Sequence, residues 1–320
     1  MYNIGIDLGG TIIKIGLICN GEMAGFKTIP SASRKGLAIH FPSIEEGIDQ
    51  LLLENGIDAS QLSGIGLAFP GIVNPVNCSV ISTNEKYDDA QKIDFPGWIE
   101  QKWGVPFYMD NDARMATLGE WKYGAGKGYN NMVMMTIGTG IGTGVILDGK
   151  VLYGEHFQAG SLGGHFVIDY KARKCSCGNI GCVEALASSS FLSKIIKEDL
   201  SLSEAFRENA DSCDFKQIFN QAKKGETDAS LVCNKCMDVW AAAIITYIHA
   251  YDPEIIVLGG GIMKSSEFII PYLKEKVDRL AWCPSGKVGL VCSKLGDNAA
   301  LYGVEHGLLT SNRKIHEKIY

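Results

Sequence analysis

Three cysteines fall within eight residues in "KCSCGNIGCVEA": Cys175, Cys177 and Cys182, with His165 ten positions before the first. Zinc is commonly held by four thiolate or imidazole donors in a tetrahedron, and a closed site of that kind is structural. These residues predict such a site, with His156 as the weaker choice for the fourth ligand. Polar, glycine-rich surroundings favour it over three reduced core thiols. A loop fastened by metal can also present a carboxylate, and Glu184 stands two positions after Cys182.

A second chemistry resides in the glycine turns. Asp7-Leu8-Gly9-Gly10-Thr11 lies between two predicted strands, where bare backbone lets successive N–H groups approach anionic oxygens. Thr11 adds a hydroxyl, Lys14 a positive charge, and Asp7 a carboxylate suited to hydrated Mg2+. Gly138-Thr139-Gly140 occupies the equivalent place in the second half. Two such turns suit a nucleoside triphosphate better than one turn suits any ligand. Gly259-Gly260-Gly261, after the strand "EIIVL", is a seat for the nucleoside. The pattern is neither a G-x-x-x-x-G-K-[ST] loop nor a dinucleotide fingerprint, because strands follow both turns.

The third element is an acid. "VPFYMDNDARMATLGEWKYG" predicts a strand ending near Met109, then a helix. Asp112 at that junction is either an N-cap, a role open to Asn111 as well, or a general base that takes a proton from a hydroxyl. The neighbouring turns favour the base, and Asp110 is a competitor that pattern alone does not remove.

These residues need a scaffold. Strand, turn and strand open the chain, and "NMVMMTIGTGIGTGVILDGKVLYG" repeats the arrangement; helices and a buried strand follow each time. A duplicated α/β architecture around a cleft is expected, with a boundary near Asn111 to Gly128. The 320 residues, 46% hydrophobic and 21% charged, suit a folded protein with a large core. A net charge of −6 argues against a nucleic-acid partner. No signal segment or membrane-length apolar run is read, so a cytoplasmic protein is expected. The seven scattered cysteines are read mostly as buried apolar residues, and Cys233 with Cys236 as core positions on a helix.

The motifs together resemble the ROK family (repressors, open reading frames and sugar kinases) of the actin-like, hexokinase-type ATPase superfamily, over essentially the whole length. "DLGGTIIK" is similar to its D-x-G-G-T-x-x-[KR] phosphate motif, "GLAFPGIVNP" to its sugar-side loop, "NDARMATLGE" to its N-D-A motif, and "IGTGIGTGVILDG" to its second phosphate motif. "GGHFVIDYKARKCSCGNIGCVEALAS" resembles its zinc signature, and "DPEIIVLGGGI" and "GDNAALYG" match further on. The resemblance implies a duplicated actin-like (ribonuclease H-like) fold: a small α/β domain over 1–115 and a larger one with the zinc loop over 116–320, the final helix packing back on the first. It implies an ATP-dependent kinase acting on the 6-hydroxyl of a hexose or hexose derivative, with Mg2+ and structural Zn2+ and a homodimeric assembly.

By the same resemblance, Asp112 is the catalytic base, and Asn111, Glu184, His165 and Asn84 are sugar contacts. His165, Cys175, Cys177 and Cys182 are the zinc ligands. One departure stands out. Family kinases usually read A-G-E-[IL]-G-H where this chain has "AGSLGGH", so Ser161 replaces a sugar-gripping glutamate and a glycine is added before His165. A bulkier or differently substituted sugar is therefore admitted. The alternatives are a non-catalytic sugar sensor and a transcriptional regulator; regulators carry an N-terminal helix-turn-helix, for which Asp7 stands too near the start.

Overall fold

The structure, a computed structural model, describes residues 2–83 and 85–317. Its residues gather into two compact units: Met1–Gly128 with Val151–Ala159 and Asn298–Tyr320, and Tyr129–Lys150 with Gly160–Asp297.

The strands of the first unit are β1 (Tyr2–Leu8), β2 (Ile12–Cys19), β3 (Glu22–Pro30), β4 (Leu62–Phe69), β5 (Gly71–Asn74), β6 (Ser79–Thr83) and β7 (Phe107–Asn111). Five of them form one sheet in the order β3-β2-β1-β4-β7, antiparallel among the first three and parallel from β1 onward. Ile4, Ile6, Ile13, Ile15, Ile65 and Leu67 are wholly buried. A central strand covered on both faces reads as a near-continuous apolar run, as β4 does. Helix α1 (Phe41–Glu54) buries Ile44, Ile48, Leu51 and Leu52, the apolar stripe of a one-faced helix. Helix α2 (Phe95–Trp103) leads into β7, and helix α3 (Asp112–Tyr123) follows it without a loop.

Along α3, every residue from Ala113 to Glu120 is buried. The terminal helix Ala299–Glu317 packs on it so closely that a Cβ on Gly119 would stand 2.0 Å from the Ala299 carbonyl oxygen, and one on Gly303 1.8 Å from that of Met115. Glycine at those two positions is what permits the backbones to meet.

The second unit holds β8 (Met132–Ile137), β9 (Ile141–Leu147), β10 (Lys150–Val151), β11 (Ile255–Gly259) and β12 (Gly289–Cys292). Its sheet runs β10-β9-β8-β11-β12, with β8 and β9 antiparallel and β8, β11 and β12 parallel. That is the first sheet's order repeated, so the duplication expected from sequence is present.

Three expectations are corrected. The helix Thr227–Tyr251 is long and apolar enough by length and composition to span a membrane, at mean hydropathy 1.3, although no such run was expected. It is a core helix of its unit: Val232, Cys233, Cys236, Trp240, Ile244 and Tyr247 are buried, and the Trp240 indole donates to the Ala187 carbonyl at 2.9 Å. Of the seven scattered cysteines, Cys233 and Cys236 are buried as expected, but Cys19, Cys78, Cys213, Cys283 and Cys292 are only half-buried. The stretch likened to a sugar-side loop, "GLAFPGIVNP", begins as the end of β4, the buried strand expected there, and continues into β5, which pairs with β6 as an antiparallel hairpin.

Candidate active site

The two glycine turns share one construction. In the first, every carbonyl is tied back: Gly9 accepts from the Tyr87 hydroxyl at 2.7 Å, Gly10 from the Ser33 hydroxyl at 3.1 Å, and Thr11 from the Ser31 N–H at 2.9 Å. In the second, Gly138 and Thr139 accept from the N–H groups of Ser189 and Ser190 at 3.0 and 3.1 Å, and Gly140 from that of Gly138 at 3.0 Å. The N–H groups of Gly10, Thr11, Thr139 and Gly140 donate to no described residue. Satisfied carbonyls and free N–H groups make a concavity that favours anions. Lys14 is engaged by Asp7, with Nζ 3.1 Å from Oδ2.

Gly260 lies against the second turn. Its φ is +90°, and a Cβ there would stand 2.4 Å from the Ile137 carbonyl oxygen, whereas nothing lies within 4 Å of one at Gly261. The glycine cluster thus abuts β8 and leaves open space over its last residue.

At the end of β7 the acids divide their work. Asn111 is the N-cap of α3, its Oδ1 accepting from the Arg114 N–H at 3.1 Å. Asp110 is wholly buried and bound by the Arg114 guanidinium at 3.2 Å, the Tyr153 hydroxyl at 2.9 Å and the Asn111 N–H at 2.7 Å. Asp112 is half-buried and accepts from the Ala113 N–H and the Asn111 amide, at 2.8 and 3.0 Å. Burial, with the negative charge of Asp7 adding to it, pushes its carboxyl up to about 6; the Ala113 N–H, the charge of Lys86 and the Asn111 amide pull the other way. Of the two competitors, Asp112 alone retains an accessible carboxylate poised near neutrality.

His165, Cys175, Cys177 and Cys182 place one donor atom each within 4.8 Å of one another. Cys177 and Cys182 Sγ are 3.7 Å apart, and Cys175 Sγ is 3.6 Å from His165 Nδ1. A tetrahedron with Zn–S near 2.3 Å and Zn–N near 2.1 Å has edges of roughly 3.8 Å and 3.6 Å, so the donor set fits zinc. His156 is exposed and outside the cluster. The loop is shaped by Gly181, at φ +75° with a Cβ position 1.7 Å from the Asp169 carbonyl oxygen. Gly163 and Gly164 seat the His165 turn on β9: the Gly163 N–H donates to the Thr143 hydroxyl at 2.8 Å, and a Cβ on Gly164 would stand 1.8 Å from the Ile141 carbonyl oxygen.

Glu184 is buried at the start of helix α4 (Val183–Ala187). It accepts from the Ile141 N–H at 2.9 Å and from the Ser176 hydroxyl at 3.3 Å, which ties the cysteine loop to the second glycine turn. Ser161 is half-buried, and Asn84 lies outside the described residues.

The first unit therefore assembles Asp7, the Gly9–Thr11 turn, Lys14, Asn111 and Asp112; the second assembles Gly138–Gly140, Gly259–Gly261, His165, Glu184 and the three cysteines. Two features had no sequence signal. Lys86 lies beside Gly10, and a cavity of about 290 Å³ is lined by Gly10, Ala32, Ser33, Arg34 and Lys35. A larger cavity of about 930 Å³ in the second unit, with His249, Trp282 and Lys287 in its lining, contains none of the site residues.

The ROK family profile matches residues 3–307. A glucokinase of Thermotoga maritima is 30% identical over 307 residues, covering 94% of this chain and 95% of that protein. A xylose repressor of Caldicellulosiruptor bescii is 28% identical, covering 94% of this chain and 76% of the repressor. Among solved structures, a ROK hexokinase from Thermus thermophilus superposes with a TM-score of 0.81 at 26% identity, over 98% of this chain and all of that one.

Proposed function

The chain belongs to the ROK family, and from that premise we propose that it is an ATP-dependent sugar kinase transferring the γ-phosphoryl group to a hydroxyl, the 6-hydroxyl, of a hexose or hexose derivative. The observation that carries this reading is the separation of roles at β7. Asn111 caps the helix and Asp110 is consumed by Arg114, which leaves Asp112 with a carboxyl near 6 to act as base. The glucokinase and hexokinase relatives support the same activity.

In this reading Asp112 takes the proton of the attacking hydroxyl while Asn111, Ser161, His165 and Glu184 orient the sugar, with Asn84 as a further contact. The free N–H groups of both glycine turns and the Thr11 hydroxyl receive phosphate oxygens, and Gly259–Gly261 underlies the nucleoside. Positioning and electrostatics supply the catalysis. Asp7 would hold hydrated Mg2+, which neutralises phosphate charge when bound. His165, Cys175, Cys177 and Cys182 would hold Zn2+, whose contribution is to fix the loop that carries His165 and ends at Glu184. We place the protein in the cytoplasm as a homodimer.

The xylose repressor relative favours a second reading, a sugar-binding regulator or sensor without turnover. A coupled assay for ADP release over a panel of hexoses, amino sugars and disaccharides separates them. Sugar-dependent ADP release supports the kinase. Calorimetric sugar binding with no release across the panel refutes it.

A further inference from the structure

Resting on the kinase reading, we propose that Lys86 contacts the transferred phosphoryl group, its ammonium supplying positive charge beside the free N–H groups of the first glycine turn. The sequence nominated Lys14 for that charge, but Lys14 is paired with Asp7. Lys86 is not so engaged: no hydrogen bond or ion pair joins its ammonium to a described residue. Its Cε and Nζ stand 3.6 and 3.9 Å from where a side-chain carbon on Gly10 would lie, which puts the ammonium at the mouth of the turn. It is also within electrostatic reach of Asp112, whose carboxyl it holds down.

The position is built rather than incidental. Lys86 lies between two non-glycine residues in the left-handed region, Glu85 and Tyr87, each at φ +56°. Such conformations persist only where the surroundings over-determine them. Tyr87 supplies that constraint: it is wholly buried, its N–H donates to the Ser33 carbonyl at 2.7 Å, and its hydroxyl reaches the Gly9 carbonyl at 2.7 Å and the Ser31 hydroxyl at 2.6 Å. Asp89, two residues on, accepts from the N–H groups of Leu37 and Ala38 at 2.6 and 2.9 Å. The segment carrying the lysine is therefore fastened to the same turn whose ligand it would touch.

In the transfer step the sugar hydroxyl gives its proton to Asp112 and its oxygen forms the new bond to phosphorus. The bond from phosphorus to the bridging oxygen breaks, and its electron pair leaves on ADP. Lys86 makes and breaks no bond and keeps its three protons. A compact ammonium suits the charge spread over the non-bridging oxygens, and removing one preorganised donor of this kind lowers turnover by about 100-fold.

The test compares wild type with Lys86→Met and Lys86→Arg on a sugar the wild type phosphorylates. Lys86→Met is expected to lower kcat by about 100-fold with the sugar KM within about threefold. Its acid limb should move to higher pH, because the cation no longer favours the Asp112 carboxylate. Lys86→Arg should recover about a tenth of the lost rate or more, which a merely structural role would not predict. An unchanged kcat, or a change confined to the sugar KM, overturns the proposal and assigns the lysine to the acceptor. If the wild type phosphorylates no sugar, the kinase reading is what fails, and the lysine is then read by titration with Mg2+ and the non-hydrolysable analogue AMPPNP. Binding about tenfold weaker in Lys86→Met supports the contact; equal titrations, absence of binding by both included, overturn it.

Discussion

Asp112 is held in an environment that resists its charge, and both its use and its cost follow from that. Asp112→Asn keeps the shape and the amide contact but cannot accept a proton. We expect turnover to be abolished with sugar affinity within several-fold, measured by ADP release and calorimetry; near-normal turnover would remove the residue from its role. In the wild type the carboxyl is charged above about 6, so kcat/KM should fall as pH drops through that value. The stability consequence has the opposite sense. The folded carboxyl is raised above the unfolded value of 3.8, so its ionisation opposes folding, and stability is lost as pH rises from about 4 to 6. Asp112→Asn should accordingly be more stable than wild type at pH 7, by about 1–2 kcal/mol after allowing for partial exposure, and no more stable below pH 4. Urea unfolding at the two pH values checks it. The sequence indicated this cluster but not its internal roles. Asp110, Asn111 and Asp112 all sit at a strand end, and tertiary contacts separate them: Arg114 and Tyr153 hold Asp110, Asn111 caps α3, and Asp112 keeps an accessible carboxylate.

At the level of elements, what was legible was whatever depends on local pattern. The hairpins with glycine turns, α1, α3 and the cysteine loop all announce themselves by periodicity, turn chemistry or ligand spacing. What was hidden depends on contacts far apart in sequence. Lys86 reaches Gly10 because Tyr87 bonds the Gly9 carbonyl 78 residues away, and no spacing rule encodes that. The β5–β6 hairpin was not anticipated: its strands are short, four and five residues, and a run that short carries little periodicity. Cys182→Ser should lower the zinc content from about one per chain and sensitise the 166–182 segment to proteolysis; a wild-type stoichiometry far below one would refute the metal site. Gly119→Ala adds a methyl group against the Ala299 carbonyl, where backbone must move to admit it. A loss of about 1–3 kcal/mol or more is expected by chemical denaturation.

For the molecule as a whole, one sheet order used twice gives each unit a turn that offers N–H groups to anions, and the two turns differ in what stands beside them. The first has the acids of β7 and α3; the second has the metal-binding loop and the Gly259–Gly261 cluster. The terminal helix completes the first unit, burying Ala299, Leu301, Val304 and Leu308. Truncation after Asp297 should therefore abolish cooperative unfolding of that unit and all turnover, read by circular dichroism and ADP release. A folded truncated protein would contradict this packing. The resemblance to the ROK family carried the architecture because its motifs span the chain. The path of the chain between units was less visible, since nothing in "VLYGEHFQA" signals that it returns to the first unit. That path has a consequence for engineering and for descent. Neither unit is an uninterrupted stretch of polypeptide, so a single crossover between two such genes cannot deliver either one whole. Grafting a new acceptor preference from a cousin would need several coordinated splices, and point substitution is the easier road to new specificity.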